Sequence, residues 1–338
     1  MQSTAVVILN FNGLKWLTEF LPSVFVHSKN DADVFVIDNG STDNSTDYIE
    51  SNFKEISIIK LANNLGFAGG YNKGLESLKH EFFILLNSDV EVTQNWISPM
   101  IQLFKSDSSI SAMQPKILSQ IEKEKFEHAG AAGGYIDKFG FPFCRGRVFN
   151  SVENDNDQYN NIEEVFWASG ACLFIRASDF FENNGFDNSF FAHMEEIDLC
   201  WRLKNKGKKI VFNPASTVYH VGGGTLTYNS PKKTYLNFRN SLFMIHKNDS
   251  RNIFTIILCK LLIDGIAGIR FLLMGQFTHF FSILKAHFHY YSSISKLNQF
   301  RKNNKRKETK SLKGVVNKLI IWSYFIQRKK NFKEITQL

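Results

Sequence analysis

FFILLNSDVEV, residues 82–92, is the most informative stretch of this chain, because an unbroken apolar run stops there at Asn87-Ser88-Asp89. A buried parallel strand reads as a continuous hydrophobic run, and ligands bind at the carboxyl ends of such strands. Asp89 therefore emerges where an active site would form, and a carboxylate there can hold a divalent cation. Asn-Ser-Asp after a strand is also an ordinary turn signal, so the neighbouring segments have to decide between the two interpretations.

Strand-like and helix-like segments alternate through the first part of the chain. The strand-like runs are VVIL at 6–9, VFVI at 34–37, and residues 56–61 and 82–86. Apolar residues at helical spacing lie between them, at residues 14–24 and 71–78. This β-α-β-α order predicts a Rossmann-like α/β fold, with a mixed, mainly parallel sheet and helices on both faces. Gly and Asn residues follow the strands at 10–13, 38–45 and 63–70, so these loops are expected along one common edge.

The pattern weakens between residues 115 and 165, where the polar segment 151–161 is predicted to be a surface loop or a mobile flap. It then resumes, with strands expected within 166–176 and at 209–212, a helix over 194–206, and an edge strand, TVYH at 217–220, that ends in Gly222-Gly223-Gly224. We therefore expect a catalytic α/β domain over residues 1–230.

Residues 231–338 are predicted to form a helical, basic region, with helices over 235–247 and 253–290. Charged residues interrupt the second helix, so no clean span of about 18 uncharged apolar residues exists and an ordinary transmembrane helix is not expected.

From residue 285 onward there are fourteen Lys or Arg and two Glu, whereas the whole chain carries only +8. Such a surplus suits an anionic membrane surface or a solvated face. Nucleic acid is not expected, because the basic residues are not interleaved with regular aromatic platforms. Helices at a membrane interface and a helical cap on the first domain both remain open.

The location predicted for the protein is cytoplasmic, peripheral on the inner face of the membrane. The four cysteines form no C-x-x-C pair, which argues against a structural zinc site or a disulfide framework and fits a reducing compartment. The chain enters a strand-like run at once, without a signal-type segment.

Two segments near the strand ends carry residues suited to a nucleotide. Asp38 ends the VFVID strand, where a carboxylate can accept a hydrogen bond from a base imide or a ribose hydroxyl. NNLGFAGGYNKGL, residues 63–75, places three glycines in a strand-to-helix connection and allows close backbone approach to a ligand. It matches neither the dinucleotide-binding pattern nor the P-loop.

A third segment concentrates acids at a predicted helix start. Glu195, Glu196 and Asp198 could be first-turn acids that the helix dipole favours. Alternatively, repulsion and partial burial could raise one pKa and produce a general base. His220 ends a strand; a lone His is more often structural, but with Asp89 it could complete an oxygen-and-imidazole cation site.

Seven of these segments occur in an order that resembles the family 2 glycosyltransferases with a GT-A fold, particularly the rhamnosyltransferase-like bacterial enzymes that build surface polysaccharides. They are VVILNFNG, FVIDNGSTDNS, NLGFAGGYNKGL, FILLNSDVEV, SGACLFIR, MEEIDLCWR and VYHVGGG, and the resemblance covers about residues 4–240. It implies a GT-A catalytic domain followed by the C-terminal helical region.

The resemblance also implies roles for individual residues. Asp38 resembles the aspartate that recognises the base, while Asn64, Gly66 and Asn72 match the donor-binding segment, to which we add Asn10 at the end of the first strand. Asn87-Ser88-Asp89 occupies the Asp-x-Asp position, so Asp89 and His220 are expected to contact Mg²⁺ or Mn²⁺. Glu196 stands at the position of the catalytic base, and Glu195 or Asp198 could share that role.

Two departures from the family pattern stand out. Asn87 replaces the first Asp of the metal motif, and a neutral amide is a poorer cation ligand than a carboxylate, which puts metal dependence in doubt. Glu196 is one methylene longer than the Asp common at its position.

The resemblance implies an inverting transfer of rhamnose or a hexose from a dTDP- or UDP-sugar to a hydroxyl of a glycan or lipid-linked acceptor. The Q-x-x-R-W signature of processive relatives is absent. An inactive binding or scaffold protein is one alternative, which Asn87 favours. A nucleotidyltransferase is another, although LNFNGLKWL lacks a basic glycine-rich triphosphate loop.

Overall fold

The computed structural model describes residues 3–127, 130–222 and 230–337. Its strands are β1 (Thr4–Asn10), β2 (Asp33–Asp38), β3 (Ser57–Lys60), β4 (Phe82–Asn87), β5 (Val90–Val92), β6 (Ile110–Ser119), β7 (Gly134–Asp137), β8 (Pro142–Cys144), β9 (Arg147–Val148), β10 (Ser151–Val152), β11 (Glu163–Val165), β12 (Cys172–Arg176), β13 (Lys209–His220) and β14 (Val315–Val316). The helices are α1 (Leu14–Ser28), α2 (Ser45–Asn52), α3 (Gly66–Leu75), α4 (Ser98–Ser106), α5 (Ala177–Glu182), α6 (Glu195–Asn205), α7 (Pro231–Asn248), α8 (Ile253–Leu273), α9 (Phe277–Asn303) and α10 (Phe332–Thr336).

A large mixed sheet forms the centre of the molecule, in the order β11-β13-β6-β12-β4-β1-β2-β3, with β5 paired to β13. Strands β3, β2, β1 and β4 are parallel, whereas β12 runs antiparallel between β4 and β6. The predicted β-α alternation of the first part of the chain is confirmed. A smaller sheet has the order β10-β9-β8-β7-β14.

Helices cover both faces of the large sheet, as predicted. Alternate residues of β4 belong to two separate hydrophobic clusters: Phe83 packs with Tyr71 of α3, and Phe82 packs with Phe104 of α4. Since successive side chains of a strand point to opposite faces, both faces of β4 are buried, which explains its unbroken apolar run.

The two strands predicted at 209–212 and 217–220 are one continuous strand, β13. Its register against β6 shifts between Asn213 and Thr217, and Pro214, which lacks a backbone N–H, lies inside that irregularity. The prediction that residues 217–220 form an edge strand is wrong, because this part of β13 pairs with β6 on one side and with β5 on the other. Of the glycines predicted to follow, 223 and 224 lie outside the described residues.

The segment 151–161 is tied to the large sheet. Lys116 Nζ of β6 donates to Asp155 Oδ2 at 2.6 Å and to Asn160 Oδ1 at 2.7 Å. Of the two possibilities considered for this segment, these contacts support a surface loop held at both of these residues.

The C-terminal region is helical as predicted, but the helix expected over 253–290 is two helices. The break falls between α8 and α9 at Gly275, whose φ of +70° favours glycine. Further along, β14 adds to the small sheet beside β7, and Leu312 and Phe332 are buried in the same hydrophobic cluster as Tyr71. In the ranges that the structure describes, none of the helices combines the length and the apolar character needed to cross a bilayer.

Buried ion pairs join α6 to α7. Asp198 of α6 is fully buried and accepts from Arg202 Nε at 2.8 Å, from Lys247 Nζ at 2.9 Å and from Asn248 Nδ2 at 2.7 Å. Lys247 also donates to Asp187 at 2.7 Å. Although burial raises the pKa of Asp187, the Lys247 ammonium holds it below its ordinary value. Lys247 therefore pairs with two carboxylates, Asp187 before α6 and Asp198 within it.

We expect Lys247→Met to lower the free energy of unfolding by about 3–5 kcal/mol, because it leaves buried Asp198 without one of its cations. Lys60→Met is the matched control: its Lys60–Glu50 pair is exposed on both sides, so its loss costs at most about 1 kcal/mol. Urea denaturation of both variants measures the difference. Equal effects of the two substitutions would contradict the role assigned to Lys247.

Candidate functional site

A cleft of about 940 Å³ opens at the carboxyl ends of β1, β2 and β4. One wall comes from the loops that follow these strands. Side chains of the small sheet and the turns beside it form the facing wall, among them Phe143, Arg147 and Phe149. The site therefore lies at the sheet edge where the sequence places it, as ligand sites in open α/β sheets generally do.

Eight of the twelve sequence-predicted site residues line this cleft: Asn64, Gly66, Asn87, Ser88, Asp89, Glu195, Glu196 and His220. The structure does not bring the other four to its wall. These are Asn10, Asp38, Asn72 and Asp198.

The glycine-rich segment is shaped by an asparagine network. Asn39 Nδ2 donates to Asn64 Oδ1 and to the Gly66 carbonyl, each at 3.1 Å, while Asn39 Oδ1 accepts from Leu65 N at 3.0 Å. A Cβ on Gly66 would lie 2.6 Å from the ring of Phe191, and the φ of Gly66 is +75°. Only glycine fits at this start of α3, because a side chain would clash with Phe191 and the backbone conformation is left-handed.

Asn10 and Asp38 lie side by side behind the cleft wall, at the ends of paired strands. Asn10 Nδ2 donates to Asp38 Oδ1 at 3.4 Å and to Ser45 Oγ at 2.9 Å. Asn10 Oδ1 is buried and has no hydrogen-bond partner. Asn72 instead joins α3 to the segment before α6, donating to the Phe186 carbonyl at 2.7 Å.

His220 stands between two carboxylates. Its Nε2 lies 3.2 Å from Asp89 Oδ1, and its Nδ1 lies 3.2 Å from Glu127 Oε2. All three residues are buried. Burial lowers the pKa of His220, but the hydrogen bonds to Asp89 and Glu127 outweigh it and raise the pKa to about 10.

The donor chemistry at Asp89 and His220 fits a divalent cation. A metal-binding His commonly directs its second ring nitrogen at a carboxylate, which is what Glu127 supplies, and a cation at Nε2 would have to displace the proton that this nitrogen carries in the imidazolium form. Asn87 adds an amide group, with Nδ2 at 3.4 Å from His220 Nε2. Within the described parts of the chain, no group of three or more His, Cys, Asp or Glu side chains is arranged to hold a metal. A cation here would therefore depend on a bound ligand or on water for the rest of its coordination shell.

Glu195 and Glu196 begin α6, directly after a strained segment. Phe191, His193 and Met194 all have positive φ, at 64°, 69° and 71°. Non-glycine residues in this conformation cost of order 1–3 kcal/mol each and cluster at functional sites, where the surroundings hold them. Strain here sets the direction in which α6 leaves the cleft.

Helix α7 holds this segment in place. Asn240 Nδ2 lies 3.0, 2.9 and 2.7 Å from the carbonyl oxygens of Phe190, Ala192 and His193. Arg239 also donates to the Phe190 carbonyl, at 3.0 Å. Asn240 is fully buried, so these contacts are made away from competing water.

The Ser-Gly-Ala segment before β12 connects the two halves of the site. Asn87 N donates to the Ala171 carbonyl at 3.0 Å, and the Cβ of Glu196 is 3.9 Å from where a Cβ on Gly170 would stand. Asp89, two residues after Asn87, and Glu196 line the same cleft on either side of this segment, although more than a hundred residues separate them in the chain.

The two glutamates have raised pKa values. Burial raises the pKa of Glu196 to about 7, against the opposing effect of the backbone N–H groups of Glu196 and Ile197. Burial and the charge of Glu196 raise the pKa of Glu195 well above its usual range. Each has a buried Oε2 that finds no hydrogen-bond partner among the residues that the structure describes. Burial and the neighbouring charge favour the neutral form of Glu195, whereas Glu196, with a pKa of about 7, loses its proton readily near neutral pH and suits a general base.

Sequence reasoning missed several residues of this cleft. Glu127 follows no recognisable motif and lies in the stretch where the strand pattern is weak. Asn39 lies next to Asp38, in a strand-end segment whose residues suit a nucleotide. Its position beside Asp38 is the signal that could have found it. His193, Lys232 and Lys233 also line the cleft, and no local pattern marks them.

Comparison with known proteins agrees with this geometry. The model of the family described as "Glycosyl transferase family 2" matches residues 5–176, about half of the chain. An N-acetylglucosaminyl-diphospho-decaprenol L-rhamnosyltransferase of Mycobacterium tuberculosis is 24% identical over 64% of this chain and 75% of its own length. A low-salt glycan biosynthesis hexosyltransferase of Haloferax volcanii is 23% identical over 75% of this chain and 78% of its own length.

Solved structures show the same fold. GalNAc-T7 with UDP, GalNAc and Mn²⁺ superposes with a TM-score of 0.57 at 18% identity, covering 74% of this chain and 49% of that chain. This chain thus spans about half of GalNAc-T7. A mannosyltransferase from Pyrobaculum calidifontis, in complex with GDP-Man and Mn²⁺, gives a TM-score of 0.52 at 10% identity, covering 88% of this chain and 84% of that chain.

The predicted GT-A fold is confirmed by these structural neighbours. Because the family model matches half of the chain, this chain belongs to glycosyl transferase family 2 and is a glycosyltransferase.

Proposed function

We propose that this protein is an inverting glycosyltransferase that moves rhamnose or a hexose from a dTDP- or UDP-sugar to a hydroxyl of a lipid-linked glycan. One observation carries the proposal: Glu196, with a raised pKa and a carboxylate oxygen that has no partner in the described part of the chain, lines the same cleft as Asp89 and His220. The relatives named as an L-rhamnosyltransferase on a decaprenyl diphosphate and as a glycan hexosyltransferase support the substrate classes.

In the proposed reaction, Glu196 accepts the proton of the acceptor hydroxyl as that oxygen attacks the anomeric carbon. The bond from the anomeric carbon to the diphosphate oxygen breaks on the opposite face, and the nucleoside diphosphate leaves with the bonding electron pair. Burial and the charge of Glu196 favour the neutral form of Glu195, which lies beside the base. It keeps Glu196 from facing a second negative charge as it ionises.

Asp89 and His220 would hold Mg²⁺ or Mn²⁺, which neutralises charge that develops on the departing diphosphate. Glu127 would fix the orientation of the imidazole ring. The two solved neighbours with Mn²⁺ and a nucleotide or nucleotide sugar support this assignment.

For the donor, we propose a position over the ends of β1 and β2, where Asn64 and Gly66 line the cleft and Asp38 lies beside Asn10 behind the cleft wall. For the acceptor, we propose the wall formed by the small sheet, whose Phe143 and Phe149 offer apolar faces to a sugar ring. The basic surplus after residue 285 would attract the protein to the anionic cytoplasmic membrane, where lipid-linked acceptors are found.

An inactive binding protein is the rival function, and the neutral Asn87 is the observation that favours it. The two are separated by whether nucleoside diphosphate is released from any sugar nucleotide in the presence of acceptor. Binding without release would support the rival.

Glu196→Gln is expected to lower turnover about 10²–10⁴-fold while donor binding survives, since positioned base catalysis contributes that much. Glu195→Gln is the matched control, because burial and the charge of Glu196 favour the neutral form of this residue and an amide imitates a neutral carboxyl; the loss of turnover should be at most about tenfold. Release of nucleoside diphosphate measures turnover, and calorimetry measures donor binding. If Glu195→Gln were the more damaging change, the base would be Glu195.

Turnover of the wild-type enzyme is expected to rise as the pH is raised through about 7, the pKa of Glu196. The sign follows from the chemistry, because the base must be ionised and its carboxyl is protonated below that pH. Residual turnover of Glu196→Gln should lack this rise. An unchanged pH profile in the variant would assign the titration to another group.

Metal binding can be tested without turnover, by calorimetric titration of Mn²⁺ in the presence of a nucleoside diphosphate. Asp89→Asn should abolish the Mn²⁺ dependence of nucleotide binding, and Glu127→Gln should weaken Mn²⁺ about 10–100-fold, as loss of an outer-shell partner does. Glu91→Gln is the control, since Glu91 pairs with Lys123 and does not line the cleft. Nucleotide binding by wild-type protein that is indifferent to EDTA would refute the metal assignment.

A further inference from the structure

Helix α8 is built with its polar side inward. Lys260 and Asp264 are almost fully buried and form an ion pair, and Lys260 Nζ also lies over the rings of Phe141 and Phe238, at 4.4 and 5.5 Å from their centroids. On the outer side, Leu262 and other large apolar residues are exposed. A helix on the surface of a soluble protein normally has the opposite arrangement, so this outer side is made for contact with something apolar.

The exposed residues form a continuous stripe across both helices of the C-terminal hairpin. Spacings of three, four or seven residues place them on one face of each helix. We call this set the apolar face: Leu258, Leu262 and Ile266 of α8 and Phe277, Phe281 and Phe288 of α9.

The two halves of the apolar face lie next to each other. The hairpin turn is at Gly275, and contacts between the helices fix their antiparallel register: His287 Nε2 is 3.5 Å from Asp264 Oδ2, and a Cβ on Gly268 would lie 3.3 Å from the Phe280 ring. The polar and small residues of both helices face the partner helix or the body of the protein. The apolar residues of both helices therefore lie together on the outer side.

Charge identifies the occupant of this face. Residues 253–303 contain a single acid, Asp264, and it is buried. Arg270, Lys285 and Lys296 are exposed on the same two helices. A second copy of this chain, docked through the same face, would bring cations together without acids to pair them. An anionic lipid surface satisfies both the apolar residues and the cations.

An aromatic cluster extends this surface near the hairpin. Trp322 and Phe325 are exposed, and the guanidinium of Arg270 lies 5.7 Å from the ring centroid of Phe325. Trp and Arg side chains are favoured at the boundary between lipid headgroups and acyl chains, where an apolar body and a polar tip are both accommodated.

The hairpin also packs against the element that lines the mouth of the cleft. His279 Nδ1 of α9 lies 2.8 Å from Thr234 Oγ1 of α7, and Lys285 Nζ lies 5.2 Å from the ring centroid of Tyr235. The next residues of α7 toward its start, Lys232 and Lys233, line the cleft. A membrane under the apolar face would therefore lie beside the cleft.

We propose that the apolar face of α8 and α9 inserts into the headgroup–acyl boundary of an anionic membrane and anchors the protein as a monotopic enzyme. Cations on the hairpin and the basic surplus after residue 285 assist the approach, but burial of apolar side chains holds the protein there. Such an anchor would present the cleft to an acceptor carried by a lipid. This consequence for catalysis rests on the proposed function.

Cosedimentation with vesicles tests the anchor without any substrate, so its result does not depend on transferase activity. Wild-type protein should bind vesicles of phosphatidylglycerol and phosphatidylcholine and should stay bound in high salt. Replacing Leu262, Ile266 and Phe281 together by Gln should lower the partition coefficient about tenfold or more, because each buried apolar side chain contributes to insertion.

The matched control carries Gln at Ile121, Ile162 and Phe181, which are exposed apolar residues away from the hairpin. It should bind vesicles like the wild type. Circular dichroism should show that both triple variants are folded, because all six positions are exposed. A modest fall in the unfolding temperature of the control is expected, because Phe181 also packs against Phe83.

Two outcomes would overturn the proposal. Full release of wild-type protein by high salt would mean that charge alone recruits it. Sedimentation velocity that shows a dimer dissociated by the hairpin variant, together with no vesicle binding, would assign the apolar face to a second copy of the chain.

Discussion

The hold of α7 on the segment before α6 is the constraint on which the site depends. Asn240 donates to three carbonyl oxygens, those of Phe190, Ala192 and His193. Lys247 pairs with the carboxylates on either side of that segment, Asp187 and Asp198. The held backbone includes residues with positive φ, which would relax without these contacts. Glu195 and Glu196 follow directly, so the position of the proposed base is set by a helix beyond the segment that the family model matches.

Strand ends could be located from the sequence, and they placed most of the site correctly. Asn87, which ends β4, and Ser88 and Asp89 directly after it follow a run buried on both faces, and His220 ends β13. The ends of β4 and β13 therefore lie at the same sheet edge. What the sequence could not give is the direction of each side chain. Asp198 is two residues from Glu196, which is about 200° around a helix, and so it points to α7 and away from the cleft. Asn10 and Asp38 end adjacent strands but turn toward each other.

Residues brought in from patternless regions could not be predicted. Glu127 lies after β6, whose residues are buried on both faces, and the strands that follow it are only two to four residues long, too short to show a period of two. The sequence alone shows that α8 is apolar, but in the sequence its charged residues only interrupt the apolar run. Only the structure shows that Lys260 and Asp264 pair with each other on the buried side.

The proposed mechanism places one ionised carboxylate on the acceptor side of the anomeric carbon and a neutralised diphosphate on the other side, in a cleft beside a lipid surface. This arrangement requires direct displacement. Nuclear magnetic resonance of the purified product, which reports the anomeric configuration of the transferred sugar, tests that idea most directly. The account predicts a configuration opposite to that of the donor, whereas retention would contradict it.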